Sequence, residues 1–337
     1  MNDDWKIFKL DEEISPKDDP LEDLPEPPPW RDFKTWQEQR GKVLQLGENE
    51  EMMINAALYL RRPLLITGPP GCGKSSIAYA IATKLKLGEV LRWSINSRSI
   101  VREGLYEYDA IARLRDANLE QQLRANLREP RANSEEINKQ LEELASYDIG
   151  RYIRLGPLGT SLLPRLRPSV LLIDEIDKAD IDLPNDLLHV FEEGTYEIPE
   201  LKRIAKQKKS VTVLTEIGEE KQIEEGLIRC NAFPCIIITS NGERELSPAF
   251  LRRCLRLEIK PIDEEKKLLQ IIEKHLSASN SEEIKQLVTT FTEKLQEPSQ
   301  LAIDQLLNAA FLILHGKLPD DAERDNIVEA ILRDLSQ

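Results

Sequence analysis

Short, nearly continuous apolar runs alternate with amphipathic stretches through the middle of the chain. Residues 63–67 (PLLIT) form the first run and end in a glycine-rich turn at 68–75. A helical pattern follows (SSIAYAIATKLKL), closed by Gly88. VLRW at 90–93, SVLLID at 169–174, CIIIT at 235–239 and LRLEI at 255–259 read as four further strands. Asp182 is positioned to cap a helix whose first position is Pro184 and whose end is Gly194. Strands that are apolar throughout and alternate with helices predict a parallel sheet covered on both faces. From about residue 262 the period changes. Four stretches, from IDEEKKLLQIIEKHL to NIVEAILRDL, carry apolar positions three and four residues apart. They predict a separate, small all-helical domain. Residues 112–146 are charged and helix-prone, with Pro130 interrupting them, and read as a helical excursion from the sheet domain. No internal repeat is visible.

Composition adds boundaries. A length of 337 residues suggests two or three units. The predicted division is a tail over 1–39, an α/β domain over 40–261 with the excursion near 112–146, and a helical domain over 262–337. The formal charge is −14. That balance disfavours a protein that coats nucleic acid through bulk charge. Half of it sits in residues 1–30, where ten acids face three lysines among six prolines. Such a stretch cannot pack a core of its own. It is either a flexible tail or, since Trp5, Phe8, Trp30 and Trp36 are costly to leave in water, a docking arm. No apolar run reaches the length of a membrane span, and the first ten residues lack a leader's apolar stretch, so the cytoplasm is the expected compartment. Cys72, Cys230, Cys235 and Cys254 show no CxxC spacing.

The chemistry concentrates in three places. Gly68-Pro69-Pro70-Gly71-Cys72-Gly73-Lys74-Ser75, followed by Ser76, fits G-x-x-x-x-G-K-[ST] between a strand and a helix. Its glycines let backbone N–H groups turn towards phosphate oxygens, and the helix start adds partial positive charge. Lys74 is placed for the β- and γ-phosphates and Ser75 for Mg²⁺. The run 170–175 (VLLIDE) delivers two carboxylates at a strand's end: Asp174 to hold Mg²⁺ and Glu175 to polarise an attacking water. The neighbouring Asp177, Lys178 and Asp180 read as surface or subunit-contact charges. The strand CIIIT ends in Ser240-Asn241-Gly242, where Asn241 can position water or contact the γ-phosphate. Arg252 and Arg253 then precede the last strand, either as surface charge or as groups supplied to a neighbouring subunit's nucleotide.

The order GPPGCGKS, LLIDEID, ITSNGERELSPAFLRRC resembles that of AAA+ ATPases. Within them it looks most like the MoxR branch, through Gly156-Pro157-Leu158 ahead of the acidic strand and the helix beginning near Asp182. The resemblance covers about 40–335. It implies a P-loop NTPase αβα core with sheet order 5-1-4-3-2 and a C-terminal all-α lid. It also implies ATP and Mg²⁺ as cofactors and a hexameric ring with nucleotide between subunits. A protein client, or a partner bearing a von Willebrand A domain, is implied as well. Arg253 aligns best with the family's trans-acting finger, with Arg252 second. The family's lid arginine has no counterpart in Pro298-Ser299-Gln300-Leu301-Ala302-Ile303.

Smaller features stay open at this level. Five cations in residues 201–209 are either a solvated hairpin or loop, or a pore-facing insertion that grips an acidic peptide or nucleic acid. Cys72 is a tolerated small side chain or an oxidisable switch. His189 suits core packing or surface, and His275 and His315 lack nearby ligand partners. Three functions compete: an ATP-driven protein remodeller, a nucleic-acid motor or loader, and an ATP-timed regulatory switch in a conflict or signalling system.

Overall fold

The computed structural model describes residues 21, 24–32, 46–126, 148–260, 262, 264–276, 281–296, 301–315 and 321–333. Trp5, Phe8, Trp36, Pro130 and Pro298–Gln300 lie outside these. In chain order the elements are helix α1 (Glu48–Leu60), β1 (Leu64–Thr67), α2 (Ser76–Leu85), β2 (Val90–Ser94), α3 (Val101–Leu105), β3 (Tyr106–Tyr108) and α4 (Ala110–Asn126). Next come β4 (Ile153–Leu155), α5 (Pro157–Ser161), β5 (Val170–Asp174), α6 (Leu183–Glu193), β6 (Thr195–Glu197), α7 (Pro199–Ile204), β7 (Ser210–Leu214), β8 (Glu220–Glu224) and β9 (Leu227–Arg229). The chain continues with β10 (Cys235–Ser240), α8 (Pro248–Leu251), β11 (Leu255–Glu258), α9 (Glu265–Leu276), α10 (Glu282–Gln296), α11 (Ile303–Leu314) and α12 (Asp321–Ile331).

The five strands read from the apolar runs form one parallel sheet of order β11-β1-β10-β5-β2. Numbered as core strands this is 5-1-4-3-2, as the resemblance implies. Register is set by apolar pairs such as Ile237 opposite Leu172 and Trp93 opposite Ile173. β5 and β10 are buried at every position, which is why both lack an alternating pattern.

By contacts the chain divides into two compact units, residues 1–48, 66–84 and 257–337 in the first, and 49–65 and 85–256 in the second. In the first, α9 to α12 close a helical core around Leu268, Ile272, Val288, Phe291, Leu306 and Leu332. Gln305 ties it together. Its Oε1 accepts from the Ala302 N–H at 2.9 Å, and its Nε2 donates to the carbonyls of Ile331 at 2.9 Å and Arg333 at 2.8 Å. Trp30 packs on this core rather than standing in water. Its Nε1 donates to Asn308 Oδ1 at 3.0 Å, and its ring meets His275 and Phe311 edge-on. Burial holds the His275 imidazole below its usual pKa.

In the second unit, one apolar core runs from Leu91 and Trp93 through Leu171, Ile173 and Leu187 to Ile236, Ile238 and Phe250. Helix α6 starts after Asp182, which makes no side-chain cap bond, and ends at Gly194 in the left-handed region. A second sheet, β3-β4-β7-β8, and the antiparallel pair β6 with β9 were not foreseen. Their strands are three to five residues long and polar on one face, too short for a period to show. The excursion is helical where it is described, as α4, with Tyr152 Oη donating to Asp116 Oδ2 at 2.9 Å; residues 127–147 lie outside the described set.

Candidate functional site

The glycine-rich loop lies in the first unit, between the end of β1 and the start of α2. A side chain at Gly68 would place its Cβ 2.4 Å from the Ile259 carbonyl oxygen, so the bare backbone is what lets the chain just past β11 run close beside the loop. Gly71 has φ +73°, and a Cβ there would stand 2.6 Å from that of Ala302. Lys74 is 7% exposed, and its ammonium donates to the carbonyls of Gly68 at 2.8 Å and Pro69 at 2.7 Å. The loop therefore arches around its own lysine. Helix α2 begins directly afterwards, with Ile77 to Ala82 all buried, so its start is fixed by the core. Cys72 is buried in the loop. Burial pushes its thiol up and Lys74 opposes this only in part, which disfavours the thiolate an oxidative switch needs.

The acidic strand end lies in the second unit. Asp174 closes β5, and both of its carboxylate oxygens accept hydrogen bonds. Oδ1 accepts from Thr239 Oγ1 at 2.7 Å, while Oδ2 accepts from Arg92 Nη2 at 2.6 Å and Nε at 3.1 Å. Thr239 also accepts from the Glu175 N–H at 2.9 Å, so one hydroxyl on β10 orients both acidic residues. Glu175 sits at φ 63°, ψ 51°, a left-handed conformation that costs a non-glycine residue about 1 kcal/mol. The chain turns sharply there and leaves the Glu175 side chain 43% exposed, paired with Lys178 at 2.8 Å. That contact raises the Lys178 ammonium's pKa, chiefly through the hydrogen bond it donates to the Glu175 carboxylate.

Asp177 corrects the expectation of a surface charge. It is 2% exposed, and its Oδ2 accepts from the backbone N–H groups of Asn241 at 2.9 Å and Glu243 at 3.0 Å. The turn after β5 thus holds the tip of β10, where Asn241 sits. Lys178 is likewise engaged, with Glu175. Arg252 and Arg253 follow the short helix α8, whose start is capped by Ser247 Oγ accepting from the Phe250 N–H at 3.2 Å. Arg252 Nε donates to the Pro248 carbonyl at 3.3 Å, and Arg253 pairs with Glu192 at the end of α6.

The second unit therefore brings Asp174, Glu175 and the Asn241 turn into one hydrogen-bonded cluster. Sequence reasoning missed its three organisers: Arg92, Thr239 and Asp177. A signal existed for two of them. Thr239 is a polar residue ending an apolar run, and Asp177 sits between Ile176 and Ala179, both buried. The cations of 201–209 occupy the end of α7 and the turn into β7. Lys202 pairs with Glu197, Lys208 with Asp148 at 2.8 Å, and Lys209 with Glu225 at 3.6 Å.

No helix among the described residues is long and apolar enough to cross a membrane. No curated protein sequence matches the chain. Among solved structures, the chain is similar to PCH-2 from C. elegans (17% identity, 88% of this chain and 70% of that one, TM-score 0.39). It is also similar to NtrX from Brucella abortus in complex with ADP (13%, 89% and 58%, TM-score 0.42). A RuvB variant from Thermotoga maritima is a third (14%, 85% and 70%, TM-score 0.40). The chain spans under two thirds of the NtrX chain. The family model for the AAA domain, dynein-related subfamily, matches residues 63–254, more than half of the 337. With its glycine-rich loop, acidic strand end and sheet order as described, the chain belongs to the AAA domain family, dynein-related subfamily.

Proposed function

We propose that the protein is a MoxR-like ATP hydrolase that works as a ring and remodels a protein partner. The observation that carries this reading is the corner after β5. A fully buried strand ends in a charge-braced Asp174, and the next residue is held in a left-handed turn that exposes its carboxylate. β1, β10 and β5 are consecutive in the sheet. Ligands of such sheets bind beyond the strands' C-terminal ends, which is where the glycine-rich loop, Asn241 and Asp174 follow their strands.

Each residue then has a task. Backbone N–H groups from Gly71 to Ser76, past the two prolines that have none, bind phosphate oxygens, and Lys74 exchanges its carbonyl partners for the β- and γ-phosphates. Ser75 and Asp174 offer hard oxygen donors of the kind Mg²⁺ takes, and they would hold it. Magnesium would supply neutralisation of phosphate charge. Glu175 accepts a proton from water, Asn241 orients that water, and Arg253 from an adjacent subunit meets the developing charge.

The protein client, including a von Willebrand A-type partner, ranks above nucleic acid because three of the five cations at 201–209 are already paired with acids. Calorimetry tests the foundation. ATP with Mg²⁺ is expected to bind the full chain, and Lys74→Ala to bind about a hundredfold more weakly, the worth of charge-assisted hydrogen bonds. Equal affinity in a folded Lys74→Ala protein would remove the loop from the site. Nucleotide-dependent assembly with negligible turnover would favour the switch reading.

A further inference from the structure

We propose that Arg92 is an internal competitor for the metal: its guanidinium occupies Asp174 until Mg²⁺ displaces it. This rests on the ATP reading for its biological sense, but the geometry stands by itself. β2 and β5 run parallel with Arg92 opposite Leu172 and Ser94 opposite Asp174. Side chains two residues apart share a face, so Arg92 reaches forward along the sheet to Asp174. It does so with two donors on one oxygen, Nη2 at 2.6 Å and Nε at 3.1 Å from Oδ2. Thr239 holds the other oxygen, at 2.7 Å.

The two partners differ in what a divalent cation would do to them. A hydroxyl is neutral and keeps its hydrogen bond when a metal arrives. A guanidinium is a permanent cation, and two cations on one carboxylate repel at short range. Burial then decides which group moves. The Asp174 side chain is 6% exposed and is fixed by Thr239, whereas the Arg92 side chain is 40% exposed and can swing into water. Arg92 thus has two consequences. It keeps Asp174 aimed and paired in the absence of metal, since a buried carboxylate without a partner is costly. It also weakens metal binding by the work of displacing it. Arg92 is a positioning residue, acting through Asp174 rather than on substrate.

The test titrates Mg²⁺ calorimetrically into the metal-free full chain saturated with ADP. Arg92→Gln is expected to bind Mg²⁺ about tenfold more tightly than the parent. Arg92→Lys, which keeps the charge but loses the fork, is expected at about threefold, and it serves if the Gln variant does not fold. Melting temperature gives the second readout. Arg92→Gln should melt lower than the parent with chelator and recover with Mg²⁺ and ADP. Metal affinity that is unchanged or weaker in both variants would overturn the proposal. If the parent binds no nucleotide, the ATP reading fails instead. The ordering of variants is then read with Mn²⁺ alone, from loss of the free ion's paramagnetic resonance signal.

Discussion

Glu175→Gln is expected to bind ATP as tightly as the parent chain and to turn it over about a thousandfold more slowly, the loss of a general base. The substitution is conservative where the structure makes most demands. Glu175 donates its backbone N–H to Thr239 and takes a left-handed turn, and neither depends on the carboxylate. What the amide loses is the proton-accepting charge and its ion pair with Lys178. That pair is roughly half exposed on both sides, so it contributes little to stability. The variant should therefore fold, bind and stall. Steady-state phosphate release measured beside equilibrium ATP binding separates the outcomes. Turnover within tenfold of the parent would remove Glu175 from the role of base, and loss of binding would assign it to the nucleotide instead. A stalled complex in ATP is also the form in which a protein partner would be retained for identification.

The parts of this site that were legible in the sequence are those whose chemistry is local. The loop 68–76 reads as a phosphate loop from glycines, a lysine and a hydroxyl in fixed order, because in such a loop backbone N–H groups and one helix start would do the binding. The pair Asp174 and Glu175 was legible because a strand with every position buried has no other reason to end in two carboxylates. The sheet order followed from the resemblance rather than from periodicity, which distinguishes strands from helices but not their neighbours.

What was illegible depends on register and on contacts distant in sequence. Arg92 lies in VLRW as one cation in a short strand. Only the pairing of Arg92 with Leu172 shows that it reaches Asp174, 82 positions away. Asp177 looked like solvated charge because its partners, the N–H groups of Asn241 and Glu243, come from a strand end more than sixty residues on. Its burial links the two turns, so the geometry at Asn241 depends on a residue that never needs to touch nucleotide. Trp30 was legible as an aromatic that would seek a surface, but not which one. The acceptor, Asn308, is one of three polar positions, with Asp304 and Gln305, in a mostly apolar helix. A Cβ at Gly71 would stand 2.6 Å from that of Ala302 and 3.1 Å from Asp304 Oδ1, so the loop meets a small and an acidic side chain there.

Arg253→Ala is expected to leave ATP binding intact and to slow hydrolysis about a thousandfold, the lower end of what a supplied arginine contributes. In the single chain Arg253 is paired with Glu192, and the two side chains are 43% and 52% exposed. An ion pair so open to water holds its partner weakly, so the guanidinium is free to exchange a carboxylate for a phosphate presented by a neighbour. Among the described residues the Arg252 side chain hydrogen-bonds to the Pro248 carbonyl of the helix it follows, and its replacement by alanine should cost far less. The decisive measurement is complementation. Arg253→Ala and Lys74→Ala chains are each inactive alone, one for lack of a finger and the other for lack of a loop. Mixed in equal amounts they should recover about a quarter of parent activity, since random assembly pairs an intact loop with a neighbour's intact arginine at that share of interfaces. No recovery in rings shown to contain both chains would place Arg253 outside the neighbour's site. Equal losses in the Arg252 and Arg253 variants would mean that the pair acts together. Recovery specific to Arg253 fixes the direction in which one subunit completes the next, and with it the physical reason a chain with its own loop, base and metal ligands would still hydrolyse ATP only in company.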